Sequence, residues 1–241
     1  MKIMVTGNLG YIGPSVVQQL RLTYPEAELV GMDLGLFAHC LTGVKMLPER
    51  IIDIQLYKDV RNVTKSDFKG CSAVVHLAAI SNDPMGNSFE RITDEINHQS
   101  SLKIAKLAKA AGVHNYVFAS SCSVYGAASE RPKKENDQLN PLTAYAKSKI
   151  DTEVGLSQLA SDDFVVTCLR FATACGFSER TRLDLVVNDF VAGAIAGGVI
   201  NILSDGTPWR PLIHISDMAR AIDWAVGRKT DNGGTLLVVN A

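Results

Sequence analysis

The sequence predicts an α/β fold, with a doubly wound parallel sheet followed by a small C-terminal lobe. Short apolar, β-branched runs alternate with helical patterns over the first 170 residues, which is the order of repeated βα units. The runs are largely continuous in apolar character, as expected of strands that helices cover on both faces of a parallel sheet. Right-handed crossovers then place the helices on both sides.

The individual elements follow one another closely. Strands are predicted at residues 2–6, 28–32, 51–55, 73–76, 115–119 and 164–169, and helices between them at 11–24, 88–111 and 142–160. The second of these helices should end at Gly112, a residue type that readily adopts the left-handed closing conformation. Beyond Arg170 the pattern loosens into a helix at 183–196, a strand at 199–203, a helix at 216–226 and a strand at 236–239.

The composition excludes several classes of protein. Of 241 residues, 46% are hydrophobic and 20% are charged, and the net charge of −1 gives no reason to expect nucleic acid as a partner. No apolar run approaches the ~18 residues of a membrane span, and no signal peptide precedes the first strand. The five cysteines are scattered and lack CxxC spacing, which argues against disulfides and zinc. We expect a cytoplasmic protein without a metal.

A glycine-rich segment follows the first strand. Gly7, Gly10 and Gly13 are spaced GxxGxxG, with Tyr11 and Ile12 between the last two. In a strand–turn–helix setting the three glycines permit a tight turn, a close approach to a pyrophosphate, and packing of helix on strand. The phosphates then lie at a helix N-terminus, where unpaired N–H groups favour negative charge. A purely structural turn is the alternative, but the flanking strand and helix favour a dinucleotide site.

Asp33 indicates which dinucleotide would bind. It ends the second strand, 20 residues after Gly13, where a carboxylate can accept both ribose hydroxyls and repels a 2′-phosphate. No Arg or Lys follows at residues 34–37, so NAD is expected rather than NADP. A loop-capping carboxylate is the alternative role for Asp33. Weaker cofactor candidates are Asp59, Val60, Leu77, Ala78 and Ala79.

Tyr145 and Lys149 are the strongest catalytic candidates. They lie one turn apart on the same face of a predicted helix. A nearby ammonium stabilises a phenolate and so lowers the pKa of a tyrosine from its ordinary value of ~10. A YxxxK pattern alone is usually a solvated surface pair, but here it follows residues 120–126 at a strand end, where α/β sheets bind their ligands.

With these motifs the whole chain, from Met1 to Asn240, resembles the extended short-chain dehydrogenase/reductase family, specifically its NAD-dependent sugar-nucleotide epimerases and dehydratases. The motifs that carry the resemblance are Gly7-xx-Gly10-xx-Gly13, His76-Leu77-Ala78-Ala79, Ser121-xx-Val124-Tyr125-Gly126, Tyr145-xxx-Lys149 and the segment from Asp205 to Asp217. The resemblance implies an NAD-binding Rossmann domain at residues 1–169. Residues 170–241 would form a partial substrate-binding lobe interleaved with the sheet.

The resemblance also implies roles for single residues. Ser121 would hydrogen-bond the sugar oxygen that is oxidised, Tyr145 would be the general base, and Lys149 would hold the nicotinamide ribose and tune Tyr145. Asn97 would lie near the cofactor. The implied contacts to a nucleotide-diphosphate sugar are Ser81, Ser121, Cys122, Thr173, Asn188 and Arg210. A homodimer through the two long helices that flank the site is expected.

The pair Cys122-Ser123 bears on the reaction. Relatives that eliminate water or decarboxylate carry a carboxylate at this place, and those acting at C3 and C5 carry Cys one position later; this chain has neither. The expected reaction is therefore epimerisation at C4 through a 4-keto intermediate. Alternatives are a nucleotide-sugar dehydrogenase or reductase, a dehydratase, or a non-catalytic NAD-binding protein. Two departures are Ala172-Thr173 where many relatives have Asn, and a substrate lobe that is expected to be truncated.

Overall fold

The computed structural model describes residues 1–81, 88–127, 131–206 and 209–241. Its centre is a seven-stranded sheet in which every pairing is parallel, with the order β3-β2-β1-β4-β5-β6-β9. The strands are β1 Lys2–Thr6, β2 Glu28–Asp33, β3 Ile54–Tyr57, β4 Ala73–His76, β5 Asn115–Ser121, β6 Val165–Phe171 and β9 Leu236–Asn240. A separate parallel pair joins β7, Thr173–Cys175, to β8, Leu212–His214.

Helices cover both faces of this sheet, so the predicted doubly wound architecture is confirmed. The helices are α1 Gly13–Thr23, α2 Glu90–Asp94, α3 Ser100–Ala110, α4 Ala144–Ser157, α5 Val186–Gly197 and α6 Ile215–Val226. On one face, Leu20 of α1 and Ile222 of α6 belong to the apolar cluster that includes Ile3 of β1. On the other face, Ile104 of α3 and Leu156 of α4 belong to a second cluster.

Several predicted elements differ in the structure. The strand predicted at 51–55 begins later, at Ile54, because a 3₁₀ turn that starts with a proline occupies Pro48–Ile51. The helix predicted at 88–111 contains a π-helical turn, Glu95–Gln99, between α2 and α3. The strand predicted at 199–203 is wrong: this apolar run is exposed and pairs with no described strand, and strand propensity depends on such a partner.

Part of the region after residue 170 packs with the sheet. The edge strand β9 pairs with β6, and α6 contributes Met218 and Ile222 to the cluster beneath α1. These two elements therefore interleave with the first domain, whereas β7, β8 and α5 lie beside it. The division of the chain at residue 169 stays a prediction.

Arg228 joins the end of α6 to the sheet. Its buried guanidinium donates to the carbonyl oxygens of Val166 (2.7 Å), Asn232 (2.8 Å) and Gly234 (2.7 Å), and to Thr167 Oγ1 (2.7 Å). These bonds connect the start of β6 with the turn that leads into β9. The side chain therefore fixes the edge strand in place.

We predict that Arg228→Met lowers the free energy of unfolding by about 2–4 kcal/mol, because it leaves several buried acceptors without a donor. Urea unfolding followed by circular dichroism measures this loss. Arg220→Met is the matched control, since Arg220 lies on α6, which Arg228 follows, is exposed and pairs with Asp217 at the surface. It should change stability by less than about 0.5 kcal/mol. Equal losses in the two variants would contradict the role given to Arg228.

Candidate active site

The glycine-rich turn after β1 is packed backbone against backbone. Gly7 has a φ of +76°, and a Cβ atom there would lie 2.6 Å from the amide nitrogen of Ala78. A Cβ at Gly13 would lie 2.0 Å from the carbonyl oxygen of Asn8. Only glycine fits at either position without displacing main chain. The two close approaches bring the start of α1 and the end of β4 to the carboxyl end of β1.

The N-terminus of α1 is suited to an anion. The helix begins at Gly13, with Ile12 as its N-cap, and no side chain caps its first amides. Pro14 in the first turn has no N–H and so leaves fewer amides to satisfy. Unpaired amides and the positive end of the helix dipole together favour a phosphate group. The cradle of small residues and open amides therefore fits the pyrophosphate of a dinucleotide.

Asp33 stands at the carboxyl end of β2, as predicted, and faces the glycine-rich turn. Its Oδ2 accepts the amide N–H of Leu9 at 3.1 Å, and its Oδ1 accepts the amide N–H of Gly35 at 2.8 Å. The carboxylate thus ties the glycine-rich turn to the end of the second strand. A ribose that binds Asp33 would meet an acceptor whose orientation is already fixed by two backbone donors.

Asn97 acts on the segment that follows β4. It is buried in the π-helical turn, where its Oδ1 accepts the amide of Ile80 at 2.7 Å and its Nδ2 donates to the carbonyl of Ile80 at 2.9 Å. Both ends of the amide therefore hold the backbone just after Leu77, Ala78 and Ala79, and Ala78 touches Gly7. Asn97 thus fixes the backbone of the segment that follows β4, and its place near the cofactor stays a prediction.

The other weak cofactor candidates have different surroundings. Asp59 caps a short 3₁₀ turn, and the Arg61 guanidinium holds the pKa of its carboxyl below the usual value. Val60 is buried in the apolar cluster beneath β2. Asp59 thus bonds within its own turn and Val60 packs in the core, so their adenine contacts stay predictions.

Lys149 is buried at the centre of the site. Its Nζ donates to the carbonyl of Ala119 at 2.7 Å and lies 4.7 Å from the ring centre of Phe118 and 5.3 Å from that of Tyr145. Burial lowers the pKa of Lys149 to about 8, while the nearby carboxylate of Glu153 acts in the opposite direction. The structure thus places the predicted cation beside the predicted base.

Ser121 is the last residue of β5, the strand whose Ala119 carbonyl binds Lys149. Its Oγ accepts the amide of Ser123 at 3.2 Å and the hydroxyl of Ser123 at 2.9 Å, which begins the short turn Cys122–Tyr125. Both of these bonds use Ser121 as an acceptor, so its own proton can go to a ligand oxygen. Tyr145 lies in the first turn of α4, which Thr143 caps by accepting the amide of Ala146 at 3.1 Å.

His76 is a structural group in this site. It is buried, with Nδ1 2.6 Å from Thr6 Oγ1 and Nε2 2.7 Å from Ser101 Oγ. The Ser101 hydroxyl proton goes to the carbonyl of Asn97, so Ser101 accepts from His76 and the imidazole carries its proton on Nε2. Burial and the charge of Lys149 lower the pKa of His76 to about 3. The ring is therefore neutral and joins β1, β4 and α3.

The structure brings some of the predicted substrate contacts together. Arg210 is exposed, and its positive charge acts against the burial that raises the pKa of the Cys122 thiol. Thr173 donates its amide to the carbonyl of Pro211 at 3.0 Å, so β7 carries the Arg210 segment beside it. Thr207 and Pro208 of the same motif lie outside the described residues.

The side-chain oxygen and the side-chain amide nitrogen of Asn188 are both used in hydrogen bonds within the protein. Its Oδ1 accepts the amide of Gly176 at 3.0 Å, and its Nδ2 donates to Tyr11 Oη at 3.0 Å and to the carbonyl of Arg182 at 2.9 Å. Tyr11 in turn donates to the carbonyl of Gly176 at 2.7 Å. A diphosphate contact by Asn188, which stays a prediction, would have to break one of these bonds. The observed arrangement joins the glycine-rich turn to the segment before α5.

Ser81 is bound from the same segment. Its Oγ accepts from Nη1 of Arg182 at 2.8 Å, and Arg182 also pairs with Asp184. The rest of the loop in which the sequence places a sugar contact, residues 82–84, lies outside the described residues. The role of Ser81 as a substrate contact therefore stays a prediction.

Sequence reasoning missed Arg180. This side chain is buried, donates from Nη2 to the carbonyl of Ala38 at 3.2 Å, and forms an ion pair with Glu49. Thr42 donates its amide to the carbonyl of Glu179 at 2.8 Å. The segment after β2 is thereby fastened to residues near Gly176. Because the partners are more than 130 residues apart, no local spacing signals this contact.

Two further properties concern the described residues as a whole. Within these ranges no group of three or more His, Cys, Asp or Glu side chains could hold a metal ion. No described helix is long and apolar enough to cross a membrane.

Comparison with known proteins shows which family the chain is similar to. The family model described as the NAD dependent epimerase/dehydratase family matches residues 3–239. An uncharacterized UDP-glucose epimerase of Bacillus subtilis is 28% identical over all of this chain and 77% of its own length. A UDP-glucose 4-epimerase of Corynebacterium glutamicum is 28% identical over 92% of this chain and 69% of its own. The solved NAD-dependent NDP-hexosamine 5,6-dehydratase of tunicamycin biosynthesis is 26% identical, with a TM-score of 0.84 over all of this chain and 75% of its own.

We predict that Asp33→Ala weakens NAD binding by about tenfold or more and reduces the preference for NAD over NADP, because the carboxylate that meets the ribose and repels a 2′-phosphate is lost. Titration calorimetry with each dinucleotide measures both effects. Asp53→Ala is a matched control, since Asp53 also accepts a backbone amide, that of Leu29, but at the opposite end of β2. Wild-type protein that binds NADP as tightly as NAD would show that the role of Asp33 is wrong.

Proposed function

Because this chain belongs to the NAD dependent epimerase/dehydratase family and is an NAD-dependent enzyme, we propose that it inverts C4 of a nucleotide-diphosphate sugar through a 4-keto intermediate. The proposal is supported by the position of Lys149 beside Tyr145 and by that of Ser121 at the end of β5, the strand whose Ala119 carbonyl accepts from Lys149 Nζ. Lys149 Nζ lies 5.3 Å from the Tyr145 ring centre, and Ser121 ends the strand that runs beneath both.

Tyr145 would take the proton of the C4 hydroxyl. A phenol is a weak base unless its anion is stabilised, and the buried ammonium of Lys149 beside the ring favours the phenolate. Ser121 would donate its hydroxyl proton to the same sugar oxygen and so hold it against Tyr145. Bound NAD would supply the chemistry of accepting the C4 hydride and returning it. When the hydride returns, Tyr145 gives the proton back to the sugar oxygen.

Lys149 has two tasks in this proposal. Its ammonium stabilises the Tyr145 phenolate, and it would donate to the nicotinamide ribose from a side chain that the carbonyl of Ala119 already holds at 2.7 Å. Uncovered amides of α1 would bind the pyrophosphate, and Asp33 the adenine ribose. These contacts are spread along one edge of the sheet, as an extended dinucleotide requires.

C4 epimerisation is favoured over dehydration by the side chains next to Ser121. Elimination of water needs a further acid or base, and Cys122 and Ser123 supply no carboxylate there. Burial raises the pKa of the Cys122 thiol, which makes it a poor acid–base group at neutral pH. The UDP-glucose 4-epimerase among the relatives supports the same choice, and the solved 5,6-dehydratase keeps dehydration as the second candidate.

A panel of nucleotide sugars distinguishes the candidate reactions. Epimerisation yields an isomer of unchanged mass, dehydration yields a product lighter by one water, and net oxidation forms NADH in proportion to substrate. Mass spectrometry together with absorbance of the reduced nicotinamide separates the three. A product lighter by one water would replace the proposed reaction with dehydration.

We also propose a homodimer that forms through α3 and α4. These helices cover the same face of the sheet, and Val154 of α4 and Ile92 of α2 are exposed apolar residues beside them. Sedimentation equilibrium of wild-type protein and Val154→Glu tests this, because a buried carboxylate would weaken such an interface. A wild-type monomer at every concentration would contradict the proposal.

Tyr145→Phe should keep the fold and NAD affinity while turnover falls by about 10²–10⁴-fold, since only the proton-transfer group is lost. Steady-state assays and NAD titration measure the two properties. Tyr24→Phe is the matched control: this hydroxyl is at the far end of α1 and should not affect turnover. Normal turnover of Tyr145→Phe on the best nucleotide sugar would refute the mechanism and leave the NAD site in place.

Arg210→Ala should raise the dissociation constant of the nucleotide sugar by about tenfold or more and leave NAD affinity unchanged. Arg210 precedes Pro211, whose carbonyl accepts from Thr173 of β7, and an exposed arginine there can donate charge-assisted hydrogen bonds to a diphosphate. Arg220→Ala serves as the control for loss of an exposed arginine. Equal loss of affinity for both ligands would instead indicate that Arg210 has a structural role.

A further inference from the structure

Glu153 lies one turn beyond Lys149 on α4 and is the one buried carboxylate among the described residues. It forms an ion pair with Arg170 of β6, in which Nη2 lies 2.6 Å from Oε2 and Nε lies 3.0 Å from Oε1. Both side chains of the pair are about 6% exposed. A buried pair of this kind is costly to desolvate, so stability alone is a weak reason for its presence.

The ion pair is bonded to the chain both before and after Ser121. On the N-terminal side of Ser121, the Ser120 hydroxyl donates to Glu153 Oε1 at 2.5 Å. On the C-terminal side of Ser121, Tyr125 Oη accepts from Arg170 Nη1 at 2.8 Å and donates to Asn240 Oδ1 at 2.6 Å. Ser120 and Tyr125, which lie on either side of Ser121 in the sequence, are thus both bonded to this ion pair. One member of the pair, Glu153, lies on the helix that carries Tyr145 and Lys149.

Glu153 is the carboxylate that acts on Lys149, and it does so while it is paired with Arg170 of β6. The groups that face Lys149 from other elements are His76 of β4, which is neutral, and Cys168 of β6, whose thiol pKa is raised by burial. Tyr145 lies beside it on α4. Nζ itself donates to a backbone carbonyl, which carries only a partial charge.

We propose that Glu153 is a positioning residue of the active site: it holds the Ser121 strand end against α4 and keeps the buried Lys149 ammonium charged. The inference rests on the proposed function of Lys149 and Tyr145. Arg170 orients the Glu153 carboxylate in this arrangement, and Ser120 transmits its position to Ser121. The carboxylate touches neither cofactor nor substrate and acts through the groups that do.

The first test is the titration of Lys149 itself in the full chain. Protein labelled with ¹³C at lysine Cε gives an NMR signal for Lys149, which is identified by its loss in Lys149→Arg. Glu153→Gln keeps the size of the side chain and an acceptor for Ser120 but removes the charge. We expect the titration midpoint to fall by about one to two pH units, because a charge at one helical turn acts through a protein interior of low effective dielectric.

Tyr125→Phe is the matched control for disturbance of the network. It removes a hydrogen bond to Arg170 without changing any charge, and the Lys149 midpoint should stay at its wild-type value. If Glu153→Gln does not fold because Arg170 is left unpaired, Glu153→Gln/Arg170→Met removes both charges and should also lower the midpoint. An unchanged midpoint in the folded variant would overturn the charge role.

Turnover separates this inference from the proposed function. The basic limb of the wild-type pH profile should fall at the Lys149 midpoint, and in Glu153→Gln both should move to lower pH together. Glu153→Asp keeps the charge but shortens the link to Ser120, so we expect turnover to fall at least tenfold with the midpoint retained. Full turnover in Glu153→Asp would overturn the positioning role. A midpoint that moves while the pH profile does not would refute the proposed role of Lys149 and leave its charge compensation by Glu153 intact.

Discussion

The parallel direction of all seven strands is the constraint on which the site depends. It places the carboxyl ends of β1, β2, β4 and β5 at one edge, and each of these ends supplies one wall of the site. Gly7 follows β1, Asp33 ends β2, Leu77 follows β4 and Ser121 ends β5. An antiparallel neighbour would carry one of these groups to the opposite edge. The glycines of the first turn then allow the walls to approach one another to main-chain contact.

Polar groups buried beneath this edge give it a defined shape. The Glu153–Arg170 pair, His76 with its two hydroxyl partners, and Asn97 on the backbone of Ile80 are all satisfied by specific bonds. A buried polar group that loses one of its hydrogen bonds destabilises the fold. Each group therefore favours the single arrangement of its neighbours in which all of its bonds are made. The apolar clusters on the two faces of the sheet provide the stability that such groups do not.

The fold, and the positions of the candidate site residues on its elements, could be predicted from local patterns, because each pattern lies within a few residues of the feature it specifies. The glycine spacing, Asp33 at a strand end, and Tyr145 with Lys149 on one helix face are of this kind. Contacts between distant segments could not be predicted. Arg180 with Glu49 and Asn188 with Tyr11 carry no signal in spacing, since the topology alone brings them together. The apolar run at 199–203 shows the same limit, because strand formation needs a partner that the run itself does not specify.

Hydrogen bonds among Tyr11, Asn188 and Gly176 join the two halves of the chain. Tyr11 belongs to the turn that would hold a dinucleotide, and Asn188 belongs to the helix beside the second, smaller sheet. A ligand that orders the turn also orders the hydroxyl to which Asn188 is bonded, and linkage makes such an effect reciprocal. If Asn188 contacts a nucleotide sugar, the affinities for the dinucleotide and for that sugar would be coupled through this hydrogen-bonded unit. A change in this tyrosine hydroxyl would therefore alter the coupling between the sites as well as the affinity of either one.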